Sequence, residues 1–315
     1  MKILVTGASG FIGRNLSSFA AERGHEVVGT YLSVPELSSR IPAHGSIRWV
    51  PLDIRDAKAV RSLVDSVRPD AVFHLAAQAY AQTAWKDPAG TFETNVLGTI
   101  HLYEALRAAP PPRGVLLAAS ASAYGTPPTV PITEEMPLHP INPYGVSKAA
   151  QEMLSYQYFL NYGLRIVRAR LFITTGPGKT GDVINDVAQR VADLERQPHP
   201  APLRVGNLES RRDISDVRDV VRALWSVFEA GDPKQPVNVG AGKSFSVRSI
   251  VDTLLGLARR PLEVVVDPKL LRPTDEPELR GDVTRLRALG FEPRYTIDQT
   301  IADALNFWRQ SGSAQ

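Results

Sequence analysis

Tyr144 and Lys148, in the run Tyr144-Gly-Val-Ser-Lys148, open a segment that reads as a helix through Tyr158. Residues four apart share one face of a helix, so phenol and ammonium can point into one cavity. An ordinary tyrosine titrates at about 10 and is a poor base at neutral pH. A neighbouring ammonium favours the phenolate and lowers that value. Such a pair suits the movement of a proton on or off a sugar or alcohol hydroxyl. The same spacing also describes a packed tyrosine beside a solvated lysine. Ser120 ends an apolar run upstream. Its hydroxyl could hold a carbonyl or alkoxide oxygen together with the phenol, fixing it for hydride transfer. A serine there could equally be a turn residue.

Gly7-Ala-Ser-Gly10-Phe11-Ile12-Gly13 follows the first apolar run and precedes a helical one. Glycines so spaced allow a tight turn and a close backbone approach to a pyrophosphate at the helix N-terminus. The spacing is G-x-x-G-x-x-G, and the competing reading is a turn that only packs helix on strand. The second strand ends at Thr30-Tyr31-Leu32-Ser33, with neither the carboxylate that favours NAD nor an arginine. The missing acid favours NADP, with NAD as the alternative. Asp53, after the third strand, could approach the adenine or cap the turn before Asp56.

These residues need a scaffold, and the first half of the chain supplies one. Strands are expected at Lys2–Thr6, Glu26–Thr30, Ile47–Leu52, Asp70–Leu75, Gly114–Ser120 and Leu164–Phe172. Helices are expected at Phe11–Arg23, Asp56–Val67, Thr91–Ala109 and from Tyr144. Val60, Leu63, Val64 and Val67 form one stripe. Apolar strands separated by helices imply an α/β fold with a doubly wound parallel Rossmann sheet covered on both faces. Thr174–Gly181 reads as a loop, and helices are expected at Asp213–Ala230 and Ser246–Ala258, with a final helix inside Val264–Ser311. The expected division is a dinucleotide-binding domain over 1–172, with a return segment near 212–240. A smaller mixed α/β substrate domain is expected over 173–211 and 241–315.

The 315 residues are 43% hydrophobic and 22% charged, as in ordinary globular proteins. A net charge of +3, from 36 basic and 33 acidic residues with no basic block, gives no reason to expect nucleic acid. The absence of cysteine excludes disulfides, thiolate metal sites and cysteine nucleophiles. The six histidines lack ligand spacing, so no metal is expected. No apolar run approaches the roughly 18 residues of a membrane span, so no membrane partner is expected. Met1–Thr6 enters a strand without a signal-peptide pattern, and a cytoplasmic location follows as the default expectation. Gly178-Lys179-Thr180 ends like a Walker A motif, but Ile173 stands where its first glycine belongs.

The glycine turn, Asp53-Ile54, His74-Leu75-Ala76-Ala77, Asn95, Ser120-x-x-x-Tyr124-Gly125 and Tyr144-x-x-x-Lys148 together resemble the extended short-chain dehydrogenase/reductase superfamily. That branch acts mostly on nucleotide-activated sugars. The resemblance implies Tyr144 as acid/base, Lys148 lowering its pKa and holding the nicotinamide ribose, and Ser120 positioning the substrate oxygen. Gly7, Gly10, Phe11, Ile12, Gly13, Thr30, Asp53, Ile54, Leu75, Ala76, Ala77 and Asn95 would contact the cofactor. Asn95 could instead support the fold near the site. Pro69–Gln78, Trp85-Lys-Asp-Pro88, Val205-Gly-Asn-Leu208, Arg212-Asp213, Asp216-Val-Arg-Asp219 and Leu271–Asp275 are most similar to GDP-4-keto-6-deoxy-D-mannose reductases, with GDP-mannose 4,6-dehydratases as relatives. This implies a nucleotide-sugar substrate near Gln78, Ser122, Asn185, Val205 and Asp275. Arg212 and Arg272 would fork onto its diphosphate. A homodimer through the Thr91–Ala109 and Tyr144–Tyr158 helices is also implied.

Two departures shape the expected reaction. A 4,6-dehydratase needs an acid/base carboxylate just after Ser120, and this chain has Ala121-Ser122-Ala123. Dehydration is therefore not expected, and the segment suits a 4-epimerase at least as well as a reductase. Phe172-Ile173-Thr174 replaces the family's usual Phe-Asn before a Gly-Pro turn, so the sugar or its anchoring could differ. The leading expectation is NADP-dependent reduction of a 4-keto-6-deoxy nucleotide sugar. An epimerase with retained NAD(P) is the alternative, acting at C4 or at C3/C5. A non-catalytic nucleotide-binding regulator is the reading from another class.

Overall fold

A computed structural model describes residues 1–33, 47–270 and 278–311. Its centre is a seven-stranded sheet in the order β10-β6-β5-β4-β1-β2-β3, every neighbouring pair parallel. The strands are β1 Lys2–Thr6, β2 Glu26–Tyr31, β3 Ile47–Pro51, β4 Ala71–His74, β5 Gly114–Ser120, β6 Ile166–Leu171 and β10 Val237–Val239. Strand β1 lies between β2 and β4, so chain direction across the sheet reverses there. In doubly wound folds the crevice beyond the strand ends at such a reversal is where ligands bind.

Alternate strand residues enter two cores, as the two-residue period of a strand requires. Ile3, Val5 and Phe73 face helices α1 (Phe11–Ala21) and α8 (Val217–Ala230), where Trp225 stacks on Phe73 and Phe228 packs tilted against it. Leu4, Val28 and Val72 face α2 (Ala57–Val67), α5 (Gly98–Arg107) and α6 (Pro143–Tyr162). The α2 stripe Val60, Leu63, Val64 and Val67 is buried, and Asp56 caps the helix by accepting from the Lys58 and Ala59 amides. Short helices α3 (Ala81–Lys86) and α4 (Pro88–Phe92) lead through a π-helical turn, Glu93–Leu97, into α5.

The second half has its own core and more regularity than its sequence suggests. Helix α7 (Val183–Glu195) buries Ile184, Val187, Ala188 and Val191 at helical spacing, a pattern absent from the sequence expectations. Ile173–Thr175 is strand β7 rather than loop, because it pairs with β9 (Arg211–Asp216). The helix expected from Asp213 begins at Val217. Residues 211–216 are instead held as strand by β7, by β11 (Ser244–Ser246) and by β13 (Glu278–Leu279). Asp216 caps α8 by accepting from the Arg218 amide. Strands β8 (Leu203–Val205) and β12 (Val264–Val266) form a separate parallel pair. Helices α9 (Val247–Gly256), α10 (Thr284–Ala288) and α11 (Ile297–Ser311) complete the chain. Among the described residues no helix is long and apolar enough to cross a membrane.

A severe steric constraint lies at the first turn. A Cβ at Gly13 would stand 2.2 Å from the Gly7 carbonyl oxygen. Gly13→Ala is expected to destabilise the protein by about 2 kcal/mol or more, as overpacking against backbone does. Urea denaturation followed by circular dichroism measures this.

Candidate active site

The turn after β1 is bound to the end of β2. The Gly7 amide donates to Thr30 Oγ1 (3.1 Å) and the Ala8 amide to the Thr30 carbonyl (2.8 Å). Thr30 thus shapes the turn from a buried position. Gly7 has φ +69°, and a Cβ there would lie 2.7 Å from the Ala76 nitrogen, so only glycine lets the β4 loop come this close. Helix α1 starts at Gly10, which has no side chain to cap it, and its first turn carries no acid. A Cβ at Gly10 would meet only the Gly7 carbonyl within 4 Å and otherwise project into open space. Amides at an uncapped helix start beside open space fit a dinucleotide pyrophosphate.

Beyond β4, Asn95 holds the loop. Its Oδ1 accepts from the Gln78 amide (2.7 Å), and its Nδ2 donates to the Gln78 carbonyl (3.0 Å) and to Ser147 Oγ (2.9 Å). Ser147 in turn donates to the Tyr144 carbonyl (2.7 Å). Below this lies a buried histidine relay. Thr99 Oγ1 donates its one proton to the Asn95 carbonyl (2.5 Å) and accepts from Gln151 Nε2 (2.7 Å). It must therefore accept from His74 Nε2 as well (2.9 Å), which makes His74 Nδ1 the acceptor from Thr6 Oγ1 (2.7 Å). Burial, reinforced by Lys148, depresses His74 to about 3, so the ring stays neutral.

Ser120 ends β5, and Asn142 caps the neighbouring α6 by accepting from the Gly145 amide (2.8 Å), with Pro143 in the first turn. This cap fixes Tyr144 at the helix start, facing the Ser120 hydroxyl. Lys148 is buried and donates to the Ala118 carbonyl (2.9 Å), its ammonium 6.0 Å from the Tyr144 ring centre. Burial lowers Lys148 to about 8. The expected lowering of Tyr144 by Lys148 is not what the structure has. Enclosure raises the phenol above its ordinary value, and only the Ser120 hydroxyl pulls it back. The phenol is therefore held protonated at neutral pH.

Other expected contacts are distributed unevenly. Phe11 and Ile12 pack partly into the α1 core, while Leu75, Ala76 and Ala77 form the half-buried loop against Gly7. Ile54 does not present a side chain to the crevice: it is buried against Gly98 in the core. The Asp53 carboxylate is taken up by the Arg55 amide (2.9 Å) and guanidinium (2.6 Å), the turn-capping role rather than a free approach to adenine. Gln78 uses its side chain to clamp both backbone groups of Tyr80 (2.6 and 3.1 Å). Ser122 lies in a short 3-10 turn whose amide donates to Ser120 Oγ (3.2 Å). Asn185 is not placed to touch a sugar. It is fully buried, donating to Thr175 and Gly176 and accepting from Trp308 Nε1 (3.0 Å). Val205 is buried in β8, away from solvent. Arg212 lies on β9, bonded to the Arg211 carbonyl (2.9 Å), and Arg272 and Asp275 lie outside the described residues. Nearby acids are committed. Glu152 pairs with Arg170 (2.6 Å), and Glu134 accepts from the Asn238 amide (2.9 Å). Ser147, Thr99 and Gln151 escaped sequence reasoning because polar helix residues carry no spacing signal. Among the described residues no group of three or more potential ligands could hold a metal.

A model of the family described as GDP-mannose 4,6 dehydratase matches residues 4–304. The GDP-6-deoxy-D-mannose reductase of Pseudomonas aeruginosa is 33% identical over 311 residues, covering 98% of this chain and 97% of its own. The UDP-glucose 4-epimerase of Mycolicibacterium smegmatis is also 33% identical, over 316 residues covering 98% of this chain and 99% of its own. Among solved structures, Pseudomonas aeruginosa RMD complexed with NADPH superposes with a TM-score of 0.83 at 32% identity, covering 98% of this chain and 99% of that one.

Asn95→Ala removes three hydrogen bonds at a buried position. It is expected to cost about 2–3 kcal/mol, since buried partners are left unsatisfied. Thermal unfolding checks this.

Proposed function

The chain belongs to the GDP-mannose 4,6 dehydratase family, and from that premise we propose that it reduces a 4-keto-6-deoxy nucleotide sugar, GDP-linked, with NADPH. The observation that carries this reading is a protonated Tyr144 phenol facing Ser120, with Ala121-Ser122-Ala123 in place of a dehydrating carboxylate. NADPH is favoured over NADH by the carboxylate-free end of β2 and by the NADPH in the RMD structure.

Gly7, Gly10 and Gly13 would hold the cofactor pyrophosphate, the Leu75–Ala77 loop would flank it, and Lys148 would hold the nicotinamide ribose. Bound there, the cofactor supplies a hydride to the carbonyl carbon at C4. Ser120 Oγ donates to the carbonyl oxygen and orients it. Tyr144 gives its phenolic proton to the oxygen as alkoxide character develops. The enclosure that keeps this phenol protonated is what a donor requires. Lys148, positively charged below about pH 8, stabilises the phenolate left behind. Arg212, with Arg272, is the candidate for the substrate diphosphate. A second reading, a 4-epimerase with retained NAD(P), is favoured by the epimerase relative at equal identity. The same Ser120–Tyr144 pair would then pass a proton out and back.

The chain is also proposed to form a homodimer through α5 and α6. Val146, Met153 and Leu160 are exposed at seven-residue intervals on α6, and Leu97 is exposed at the end of the π-helical turn that packs against α6.

Mixing the protein with NADPH and a GDP-4-keto-6-deoxy sugar should consume NADPH in proportion to product, followed by absorbance. Sugar conversion without NADPH loss would instead establish the epimerase. Tyr144→Phe should lower turnover by at least ~100-fold while leaving NADPH affinity nearly unchanged. Turnover of the wild type should fall as pH rises through about 8, where Lys148 loses its charge. Met153→Asp with Leu160→Asp should shift the protein to a monomer in analytical ultracentrifugation.

A further inference from the structure

A cleft of about 470 Å³ lies where β9, α8, the turn between β10 and β11 and the segment joining α10 to α11 meet. Small-molecule sites commonly hold roughly 300–1,000 Å³. None of the residues given above to cofactor, substrate or proton transfer lines this cleft. Its interior is apolar. Ile214 of β9, Val220 and Ala223 of α8 and Val239 of β10 line it from buried positions, with Phe245 and Phe291 beside them.

Polar ties hold the walls apart without any ligand. Asp219 accepts from the Arg294 and Tyr295 amides (both 2.9 Å) and pairs with Arg222 (2.6 Å). Asp216 pairs with Arg218 (2.7 Å) and accepts from Thr300 Oγ1 (2.7 Å). The Arg218 guanidinium carbon lies 3.7 Å from the centre of the Tyr295 ring. On the opposite wall, Asp213 takes the Ala241 and Gly242 amides (2.7 and 3.0 Å). Ser215 Oγ, on β9, is shielded from water without a hydrogen-bond partner, so this wall keeps one polar atom unused.

The charge of the lining is uneven. Asp216 and Asp219 are each balanced by their own arginine. Lys243, Arg287 and Arg294 also line the cleft and are exposed, against Glu292 as the remaining lining acid. Asp282 senses Arg287, but among the described residues no carboxylate forms a salt bridge with Lys243 or Arg294. An apolar interior behind a cationic rim selects an amphipathic anion. Burial of an apolar body contributes affinity, and the rim selects the charge.

We propose that this cleft is a second ligand site, separate from the glycine turn and Tyr144, that takes a small aromatic anion. Its ring would lie among Val220, Phe245 and Phe291, where aromatic partners pack edge-on or offset. Its carboxylate, sulfonate or phosphate would meet Lys243 and Arg294. The site depends on no particular reaction at Tyr144.

The test titrates full-length protein with 8-anilinonaphthalene-1-sulfonate, followed by fluorescence, with and without saturating NADP+ and GDP. Uncharged N-phenyl-1-naphthylamine serves as the comparison. One sulfonate should bind per chain whether or not the nucleotides are present, and the uncharged analogue should bind about tenfold more weakly. Lys243→Glu with Arg294→Glu should weaken the sulfonate about tenfold, leaving NADP+ affinity and unfolding temperature unchanged. Ala223→Leu, which fills the interior, should weaken both probes. Displacement of the sulfonate by NADP+ or GDP would overturn the proposal, placing the probe at the first site. So would the absence of saturable binding, equal affinity for the uncharged analogue, or unchanged affinity in the charge-reversed protein.

Discussion

One amide, that of Asn95, decides where the two halves of the chemistry sit. Its oxygen and nitrogen close on both backbone groups of Gln78, fixing the loop from Leu75 that runs against Gly7. Its second donor reaches Ser147, which bonds the Tyr144 carbonyl. The loop beyond β4 and the first turn of α6 are thereby set by a single buried side chain. The π-helical turn over Glu93–Leu97 carries that side chain. Such turns recur at functional sites because one extra residue re-aims what the helix presents. The His74 relay supports Asn95 from beneath, through Thr99 and Gln151, and ties it to the end of β1 at Thr6. Its neutral ring and single consistent proton arrangement make it a rigid strut rather than a proton carrier.

Above this strut the electrostatics are those of buried groups. Lys148 gives up solvation to sit against the Ala118 carbonyl, and its pKa falls. Tyr144 is pushed the other way. Burial disfavours the charged form of each, so their proton affinities move apart: Lys148 falls to about 8 while Tyr144 rises above its ordinary value, and the phenol is the group that holds its proton more tightly. A phenol that keeps its proton until an alkoxide appears, beside a cation that then stabilises the phenolate, is matched to reduction. The family name attached to this fold describes dehydration, but fold does not fix reaction, and the carboxylate dehydration requires is not in the turn after Ser120.

Much of this was legible in the sequence, and the exceptions have physical causes. The six strands of the first half were visible because buried parallel strands are continuous apolar runs bounded by turns. Their glycine turn was legible because Gly7 and Gly13 have no sterically allowed substitute. The second half was harder. Arg211–Asp216 has a polar sequence that suits a helix start, and only three pairing partners hold it as strand. Helix α7 carried a clear apolar period that the glycine- and proline-rich stretch before it obscured. Catalytic candidates could be named from type and spacing, whereas the residues that hold them could not. Ser147, Thr99 and Gln151 matter through hydrogen bonds between elements far apart in the chain. For the same reason Asn185 and Ile54 looked like ligand contacts and are packed inside. The direction of the Tyr144 shift also depended on enclosure, which sequence does not display.

The central claim is that hydride from an exogenous cofactor ends on the sugar, with its proton coming from Tyr144. The most direct measurement supplies NADPH deuterated at the transferring position together with a GDP-4-keto-6-deoxy sugar, then reads the product by mass spectrometry and proton NMR. The account predicts one deuteron at C4 in every product molecule, and no such product from Tyr144→Phe. Product formed without deuterium would contradict it, placing the hydride in a cofactor that never leaves the protein.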